Sequence, residues 1–349
     1  MFYYNLSEQG VVYHIYMKLL KKLGIDLGTA NSIVWEAGKG IVLNEPTIVA
    51  VGIEDRKVLA VGSEAKKMLG KTPEYIEVVC PLEDGVIADY EVTEAMLRYF
   101  LRQVMGNNWF IGPEVMVCVP AGVTQVEQRA VLDATLSAGA RKAYLIDEPL
   151  AAAIGAKIPV SEPFGNMIVD IGGGAAEAAV IALGGVVTHK SVKVGGNKLD
   201  QAIMDFLKKR FNLIIGEQTA ETIKTKLGSA IKPKKVETLE INGRDSIYGL
   251  PKNMIVDNDM VYEALRPMLE TIITVIRDTL EITPPELVAD IVDRGIVLSG
   301  GTVQLKNFNT LVTREIGVSA HVALEPQFCV IKGTGVAVEN LEIYRRAIR

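Results

Sequence analysis

Two short runs of the chain combine a strand-end aspartate with a glycine-rich turn. They are Asp26-Leu-Gly-Thr-Ala-Asn31 and Asp170-Ile-Gly-Gly-Gly174. Glycine permits a positive φ and a close approach of the backbone, so the N–H groups of such a turn can converge on a phosphate oxygen. The aspartates suit the Mg²⁺ that accompanies a nucleotide, because this ion keeps most of its waters and needs only a few carboxylates nearby. The two runs therefore predict a site for a phosphorylated ligand and its metal ion.

A third glycine pair, Gly300-Gly301, strengthens this interpretation. It follows an apolar run at 296–299 that is typical of a strand, and a helix is predicted after it. A single glycine turn is more often an ordinary hairpin turn, whereas three such turns together favour a ligand. The chain has neither the G-x-x-x-x-G-K-[ST] pattern of P-loop proteins nor the G-x-G-x-x-G pattern of dinucleotide-binding proteins, so both of those sites are excluded.

The elements that must position these turns alternate between strand-like and helix-like patterns, which indicates an α/β protein. Residues 23–26 predict a strand, and apolar residues at helical spacing predict an amphipathic helix over 92–105. Thr124 and Glu127 form a capping-box pattern that opens a further helix. A helix over 197–211 is predicted to be capped by the asparagine at its start.

The second part of the chain contains a hairpin signal and an internal repeat. Strand-like runs at 236–241 and 246–250 flank Asn242-Gly243, which predicts a hairpin turn within an inserted subdomain. Ile25-Asp-Leu-Gly28 and Val169-Asp-Ile-Gly172 each end a strand with Asp and turn on Gly. This repeat predicts two related halves that face each other across a cleft, where ligands commonly bind.

Length and composition restrict the class of protein. The 349 residues are enough for two domains, and 49% of them are hydrophobic, which allows a large core. With 37 basic and 42 acidic residues the net charge is -5, so nucleic acid is not expected as a partner. Three isolated cysteines without a CxxC pair favour a reducing compartment.

No targeting or membrane-spanning segment is expected from the sequence. The most apolar window, 167–187, contains two acidic residues and five glycines, which argues against a transmembrane helix. Residues 1–16 lack the pattern of a secretory signal and are interpreted as an extension or a misassigned start.

Six longer runs are more specific than any glycine turn. They are Gly24-Ile-Asp-Leu-Gly-Thr-Ala-Asn31, Asn44-Glu-Pro46, Asp84-Gly-Val-Ile-Ala-Asp89, Glu148-Pro-Leu-Ala-Ala-Ala-Ile-Gly155, Thr283-Pro-Pro-Glu-Leu287 and Arg294-Gly295. Together they resemble the actin-like ATPases and, among them, the bacterial MreB family of rod-shape-determining filament proteins. The resemblance covers nearly the whole chain from Leu23 onward. It implies an α/β actin-like fold of two related halves, four subdomains in all, around a cleft that binds ATP with Mg²⁺.

Carried over to this chain, the resemblance implies an N-terminal extension at 1–22 and a first half at 23–160, with a small subdomain near 49–88. The second half is expected at 161–330 with a small subdomain near 200–258, and a C-terminal helix at 331–349 is expected to return to the first half. The resemblance further implies homopolymer filaments on the inner face of the cytoplasmic membrane and slow ATP hydrolysis coupled to polymerisation. The expected location is cytoplasmic, and the implied partners are cell-wall elongation proteins such as RodZ and MreC.

The resemblance also implies roles for single residues. Asp26 and Asp170 are expected to hold Mg²⁺ through water. Glu127 is expected to orient the attacking water, although it also completes the cap with Thr124. Taken alone, Glu221 and Lys224 are an ordinary exposed pair on a helix. They resemble the family's E-x-x-K element, which implies that both side chains lie on one helix face toward the ribose and adenine. The expected nucleotide contacts are Gly28, Thr29, Ala30, Asn31, Gly172, Gly173, Gly174, Ala175, Glu221, Thr222, Ile223, Lys224, Gly300, Gly301, Thr302 and Val303.

Two positions depart from the family pattern. Ala175-Ala176 stands where a threonine pair is usual, and Thr302 stands where a third glycine is common. A hydroxyl at the former position could hold the attacking water or a phosphate oxygen. We therefore expect ATP binding to persist and hydrolysis to be slow.

Trp109 and Phe110 lie between a predicted helix and a predicted strand, among polar and glycine neighbours that predict an exposed loop. In MreB proteins the matching loop carries a hydrophobic pair that enters the membrane, so both residues are predicted membrane contacts. The alternative is that they fold back on the core.

Two other functions stay open at this stage. A sugar or acetate kinase of the same superfamily would use Glu127 or a nearby carboxylate as its base, yet no insertion obviously supplies a substrate pocket. A DnaK-type chaperone shares the ATPase fold but is disfavoured, because no peptide-binding domain follows.

Overall fold

The computed structural model describes residues 21–83, 85–106, 111–345 and 347–348. Its strands are β1 Lys22–Leu27, β2 Asn31–Glu36, β3 Gly40–Pro46, β4 Val49–Gly52, β5 Val58–Val61, β6 Ile76–Val79, β7 Leu82–Glu83, β8 Val86–Ile87, β9 Glu114–Val119, β10 Lys142–Asp147, β11 Asn166–Ile171, β12 Ala176–Ala182, β13 Gly185–Val192, β14 Leu213–Ile214, β15 Thr238–Asp245, β16 Pro251–Asp257, β17 Ile296–Ser299 and β18 Ala320–Val322.

The helices of the described ranges are α1 Ser63–Met68, α2 Tyr90–Met105, α3 Gln125–Ser137, α4 Glu148–Gly155, α5 Gly196–Phe211, α6 Glu217–Leu227, α7 Asn258–Glu281, α8 Pro285–Arg294, α9 Phe308–Ile316 and α10 Cys329–Glu339. Short 3-10 turns lie at Thr302–Gln304 and Pro326–Phe328. None of the helices in these ranges has the length and apolar character that crossing a membrane requires.

The first large sheet is built around β1 and has the strand order β3-β2-β1-β9-β10. β1, β2 and β3 are antiparallel neighbours, whereas β1, β9 and β10 run parallel. Leu23 and Ile25 of β1 and Val115 and Val117 of β9 are fully buried. This agrees with their apolar sequences, since parallel strands at the centre of a sheet are covered on both faces.

The second large sheet repeats this topology, with the order β13-β12-β11-β17-β18. Again three antiparallel strands are followed by two parallel ones. Asp26 lies near the end of β1 and Asp170 near the end of β11, the equivalent strand. The internal repeat predicted from the two Asp-Gly runs is therefore confirmed, as is the α/β class.

Each large sheet is accompanied by a small three-stranded sheet. The order is β5-β4-β6 in the first case and β14-β15-β16 in the second. α1 packs on β5, and α6 packs on β15. Both small sheets come after the third strand of their large sheet, the first directly after β3 and the second after β13 and the intervening helix α5.

A buried apolar cluster joins the two large sheets. Met116 of β9 and Ile168 of β11 belong to it, together with Cys329 and Ala337 of α10. α10 packs along α4 and also contacts β1, β2 and β9 of the first sheet. The helix at the end of the chain ends at Glu339, ten residues before the expected end of the C-terminal helix.

The predicted hairpin turn at Asn242-Gly243 is wrong. Both residues lie inside β15, and the turn is formed by residues 246–250 between β15 and β16. A Cβ on Gly243 would lie 2.5 Å from the carbonyl oxygen of Ile214, which belongs to the neighbouring strand β14. The glycine therefore serves the close approach of two strands and not a turn.

The predicted cap at Asn197 is also wrong. α5 begins at Gly196 and is capped by Gly195. The amides of Gly196 and Asn197 donate to the carbonyl oxygens of Gly172 and Gly173 at 3.0 and 2.9 Å, so the glycine turn supplies the acceptors.

Two helix predictions are confirmed, namely the helix that contains 92–105 and the capping box of α3. Gly300-Gly301 is followed by a 3-10 turn and not by the predicted helix.

Candidate functional site

The first glycine turn, 28–31, joins β1 to β2 and is held from outside by several contacts, among them the Thr47 amide, which donates to the Ala30 carbonyl at 3.0 Å. Thr47 Oγ1 donates to the Gly28 carbonyl at 2.6 Å, the Gly85 amide donates to Thr29 Oγ1 at 3.1 Å, and Cys80 Sγ lies 3.3 Å from the Thr29 carbonyl. Within the described residues the N–H groups of Thr29 and Ala30 have no acceptor. They are available to a bound anion.

The second glycine turn, 172–175, is held through its carbonyl oxygens. The Gly172 amide donates to the Ala175 carbonyl at 3.0 Å, and Thr302 Oγ1 donates to the Gly172 carbonyl at 2.8 Å. The carbonyls of Gly172 and Gly173 also receive the first amides of α5. As in the first turn, the N–H groups of Gly173 and Gly174 find no acceptor in the described part of the chain.

The two turns meet although they come from different sheets. A Cβ built on Gly173 would lie only 2.8 Å from the Cβ of Ala30. The structure thus brings together the turns that the sequence singled out. Their unbonded amides form a set of donors drawn from both halves of the chain, which is the arrangement that phosphate binding requires.

The strand-end aspartates lie in the same place, with their carboxyl groups deep in the structure. Burial, with the charge of Asp170 as a further cause, raises the pKa of Asp26 from 3.8 to about 7, against the opposing hydrogen bond from Cys118. Cys118 Sγ lies 3.4 Å from Asp26 Oδ1. Burial also raises the pKa of Asp170 from 3.8 to about 6, while the Ser299 hydroxyl, hydrogen-bonded to Oδ1, lowers it.

Two glutamates that sequence reasoning missed complete the cluster. Glu148 is the first residue of α4, and Glu177 stands opposite Asp170 in the register of β11 and β12. Burial and then the charge of Glu177 raise the pKa of Glu148 well above its usual range, and burial and then Asp170 raise that of Glu177. The Ala121 amide bonds to the Glu177 carboxylate, but its buried Oε2 has no partner among the described residues.

A signal for Glu177 was present in the sequence, because it is the one acidic residue in the apolar strand β12, Ala176–Ala182. Glu148 opens one of the family-matching runs and directly follows a strand. What the sequence did not show is that these side chains and the two aspartates belong to one cluster.

The donor set of this cluster fits Mg²⁺. The carboxyl groups raise one another's pKa because no positively charged side chain in the described part of the chain lies among them to offset their charge. Glu177 Oε2 is buried without a hydrogen-bond partner among the described residues, so it can still accept a bond from a ligand or water. In the described ranges, no three His, Cys, Asp or Glu side chains converge closely enough to hold a metal by themselves. That agrees with an ion held by one or two carboxylates, water and a ligand phosphate.

Glu127, the predicted catalytic residue, is placed differently. Its Oε2 accepts from the Thr124 amide and the Thr124 hydroxyl, both at 2.7 Å, in the capping box of α3. The hydrogen bonds from Thr124 lower the pKa of Glu127, and Lys193 acts in the same direction. None of the four clustered carboxyl groups is among the causes that change the pKa of Glu127.

The residues expected on the adenosine side are only partly brought together. Lys224 Nζ lies 2.6 Å from Asp200 Oδ2 and donates to the Gly196 carbonyl at 3.0 Å. A Cβ on Gly196 would lie 3.0 Å from Thr302 Oγ1, so Lys224 and Thr302 converge on the start of α5. In contrast, Ile223 and Val303 are buried in the apolar core of the second half.

The other predicted contacts on this side lie at the surface or in the loop after β17. Glu221 and Thr222 are exposed on α6. Gly300 has a φ of 90°, and a Cβ there would lie 2.2 Å from the Ile171 carbonyl, so this position requires glycine. Gly301 has open space around it. The predicted membrane contacts Trp109 and Phe110 lie outside the described residues.

Solved structures of two other proteins resemble this fold. MreB 5 of Spiroplasma citri bound to AMPPNP gives a TM-score of 0.88 at 34% sequence identity, over 94% of this chain and 98% of that chain. The structure of the MamK double helical filament gives a TM-score of 0.75 at 22% identity, over 91% of this chain and 98% of that chain. The latter likeness shows the fold alone.

Sequence comparison gives relatives of similar length. The chain is 45% identical over 322 residues to the cell shape-determining protein Mbl of Bacillus subtilis (strain 168), covering 92% of this chain and 97% of that protein. It is 46% identical over 328 residues to the cell shape-determining protein MreB of Escherichia coli (strain K12), covering 92% and 94%. The family model described as MreB/Mbl protein matches residues 20–346. With the repeated sheets, the meeting turns and these relatives taken together, the chain belongs to the MreB/Mbl family and has its actin-like fold.

Proposed function

We propose that this chain is an ATP-binding cytoskeletal protein that polymerises into membrane-associated filaments and takes part in determining rod shape by organising cell-wall synthesis. The observation that carries the proposal is the meeting of two glycine turns with unbonded amides, beside carboxyl groups from both halves. MreB 5 of Spiroplasma citri has solved structures with AMPPNP and with ADP, which supports a nucleotide as the ligand. The relatives named cell shape-determining support the cellular role.

In this proposal the amides of both turns bind the phosphate oxygens of ATP. Asp26 and Asp170 hold Mg²⁺ through water, and the ion, when bound, offsets negative charge on the phosphates. Lys224, fixed by Asp200, closes the nucleoside side together with Thr302.

Two glutamates, Glu127 and Glu148, are candidates for orienting the attacking water. The family resemblance suggested Glu127, whose carboxylate is occupied by the cap of α3. We favour Glu148, because its carboxyl group lies deep beside Asp26 and Asp170. A carboxylate in that place can align a water and accept its proton. Hydrolysis is expected to be slow, since Ala175 offers no hydroxyl for the water or a phosphate oxygen.

Titration calorimetry with ATP in the presence and absence of Mg²⁺ tests the ligand directly. We expect the D170N variant to weaken Mg²⁺-ATP binding by at least tenfold, while D133N, which changes an exposed aspartate on α3, leaves it unchanged. Equal affinity of D170N and the unaltered protein would contradict the proposed site. A phosphoryl acceptor that raised turnover in a screen of sugars and acetate would favour the kinase, which membership of the MreB/Mbl family does not support.

Assembly and membrane placement form a separate part of the proposal. Identical subunits that contact head to tail form an open filament, because such a contact need not close into a ring. We place Trp109 and Phe110 at the inner face of the cytoplasmic membrane, and proteins such as RodZ and MreC as partners of the filament. Electron microscopy with Mg²⁺-ATP and anionic vesicles tests this arrangement, with nucleotide-free protein as the control. Filaments that form equally well without nucleotide, or that never meet the vesicles, would count against it.

A further inference from the structure

The hairpin between β15 and β16 ends in an exposed apolar tip. Within the turn 246–250, Ile247, Tyr248 and Leu250 are exposed by 65%, 78% and 64%. Three large apolar side chains within four consecutive positions are unusual on a free surface, where apolar residues are normally scattered singly. The tip therefore needs a partner that removes it from water.

The turn that carries these side chains is well ordered by hydrogen bonds. Asp245 Oδ1 accepts from the amides of Ile247 and Tyr248 at 2.8 and 3.0 Å, and Lys252 Nζ lies 3.0 Å from Asp245 Oδ2. The Asp245 amide in turn donates to the Leu250 carbonyl at 2.8 Å. The apolar side chains are thus presented on a fixed turn, so little conformational entropy remains to be lost on binding.

Basic residues surround the base of the tip. The Ser246 amide donates to the Asn212 carbonyl at 2.9 Å, which ties the turn to the end of α5. The last turn of α5 carries Lys208 and Lys209, and β15 carries Arg244. All three side chains are exposed and form no ion pair within the described residues. Two acidic groups near the tip are already paired, Asp245 with Lys252 and Glu263 with Arg210.

We propose that this hairpin tip inserts into the headgroup region of an anionic lipid bilayer, with Lys208, Lys209 and Arg244 facing the lipid phosphates. The inference rests on the membrane placement proposed above and adds a second contact to it, from the second half of the chain. A bilayer suits the tip because a projecting apolar turn with a basic surround needs a fluid apolar layer under an anionic surface. In contrast, a second copy of the chain would have to offer a matching pocket.

The position of the tip can be read with brominated lipid, which quenches tryptophan fluorescence only within the bilayer. Tyr248→Trp is placed in a Trp109→Phe background, in which Trp35 contributes the same signal to every variant. Leu324→Trp in the same background, at another highly exposed apolar position, is the matched control. The vesicles contain brominated phosphatidylglycerol and phosphatidylcholine. We expect at least a twofold greater loss of fluorescence for the tip variant than for the control, and no such difference with vesicles of phosphatidylcholine alone.

Vesicle flotation with Mg²⁺-ATP provides the affinity, and flotation separates bound protein from filaments that would sediment alone. The triple variant I247S/Y248S/L250S should lose at least tenfold in apparent affinity, and K208Q/K209Q should weaken binding to phosphatidylglycerol vesicles at low salt only. L324S should bind like the unaltered protein, and thermal unfolding verifies that each variant is folded.

The outcomes separate this inference from the proposed function. Flotation of the unaltered protein without quenching at position 248 would overturn the hairpin contact and leave the membrane placement standing. Failure of the unaltered protein to float would overturn both. A triple variant that floats normally would overturn the hairpin contact. A triple variant that loses its filaments in lipid-free solution would show that the tip contacts another copy of the chain and not lipid.

Discussion

Glu148 and Glu127 illustrate how their neighbours distinguish residues of the same type. Both stand in the first turn of a helix, yet Glu127 bonds back to Thr124 and Glu148 lies among other carboxyl groups. A capping glutamate stabilises its helix, whereas a deep glutamate without positive charge retains acceptor capacity for a ligand. Their expected mutational effects differ accordingly.

Glu148→Gln should reduce ATP hydrolysis by about 10²- to 10⁴-fold, the range for loss of a general base. Affinity for Mg²⁺-ATP should change far less, because the turns and the aspartates remain. Glu127→Gln should keep most turnover and cost about 0.5–2 kcal/mol of stability through the weakened cap. Single-turnover hydrolysis, calorimetry and denaturant unfolding measure the three quantities. A variant pair with the effects exchanged would restore Glu127 to the catalytic role.

Ala175→Thr should raise turnover. Ala175 is partly exposed at the end of the second glycine turn, where a hydroxyl would face the same space as the phosphate ligand. Ala176 is buried at the start of β12, so its replacement should disturb packing and gain nothing. Steady-state release of phosphate compares the variants at saturating ATP. An unchanged rate for Ala175→Thr would mean that the missing hydroxyl does not limit hydrolysis.

At this scale the sequence predicted what is local. Asp26, Asp170 and the glycine turns could be found because a strand end and its turn lie within a few residues. The proximity of Glu148 and Glu177 to them could not, because it depends on the pairing of β11 with β12 and on the packing of α4. Such long-range contacts carry no mark in a short stretch of sequence.

At the scale of elements, tertiary contacts separate the confirmed predictions from the wrong ones. α2 was predicted from its period because its apolar face, with Met96 and Phe100, packs on the core. The Asn242-Gly243 signal is equally typical of a turn, but β14 lies against Gly243 and overrides it. Tertiary contact decides such positions, and the local pattern does not.

The crossing of α4 and α10 leaves no room for a side chain at two glycines. A Cβ on Gly333 would lie 1.7 Å from the Ala151 carbonyl, and one on Gly155 1.8 Å from that of Cys329. Gly333→Ala should therefore separate the helices and destabilise the protein by about 1–3 kcal/mol, as overpacking does. Gly185→Ala, where a Cβ meets nothing within 4 Å, is the matched control. Denaturant unfolding measures both, and an equal effect would show that the crossing tolerates the methyl group.

At the scale of the whole molecule, the clustered carboxyl groups link the two halves. Asp26 and Glu148 belong to the first half, and Asp170 and Glu177 to the second. Their mutual repulsion opposes the packing of the two halves against each other, while a bound cation, and a phosphate held by the amides of both turns, would favour it. Ligand binding is therefore expected to stabilise the packing of the two halves against each other. A ligand that binds only the folded state raises the free energy of unfolding.

This coupling gives a pH dependence whose sign follows from the pKa values. Asp26 and Asp170 are protonated more readily in the folded chain, with pKa values of about 7 and about 6 against an ordinary 3.8. Between about pH 4 and pH 7 the folded state thus binds more protons than the unfolded state, so the free energy of unfolding falls as pH rises.

Protein without nucleotide should lose thermal stability from pH 5 to pH 8, and the Asp26→Asn variant should lose less thermal stability over this range than the Asp133→Asn variant. Mg²⁺-ADP should flatten the decline, because the cation compensates the charges that deprotonation creates. Thermal unfolding at several pH values measures this, and a profile that rises with pH in the nucleotide-free protein would contradict the buried carboxyl cluster.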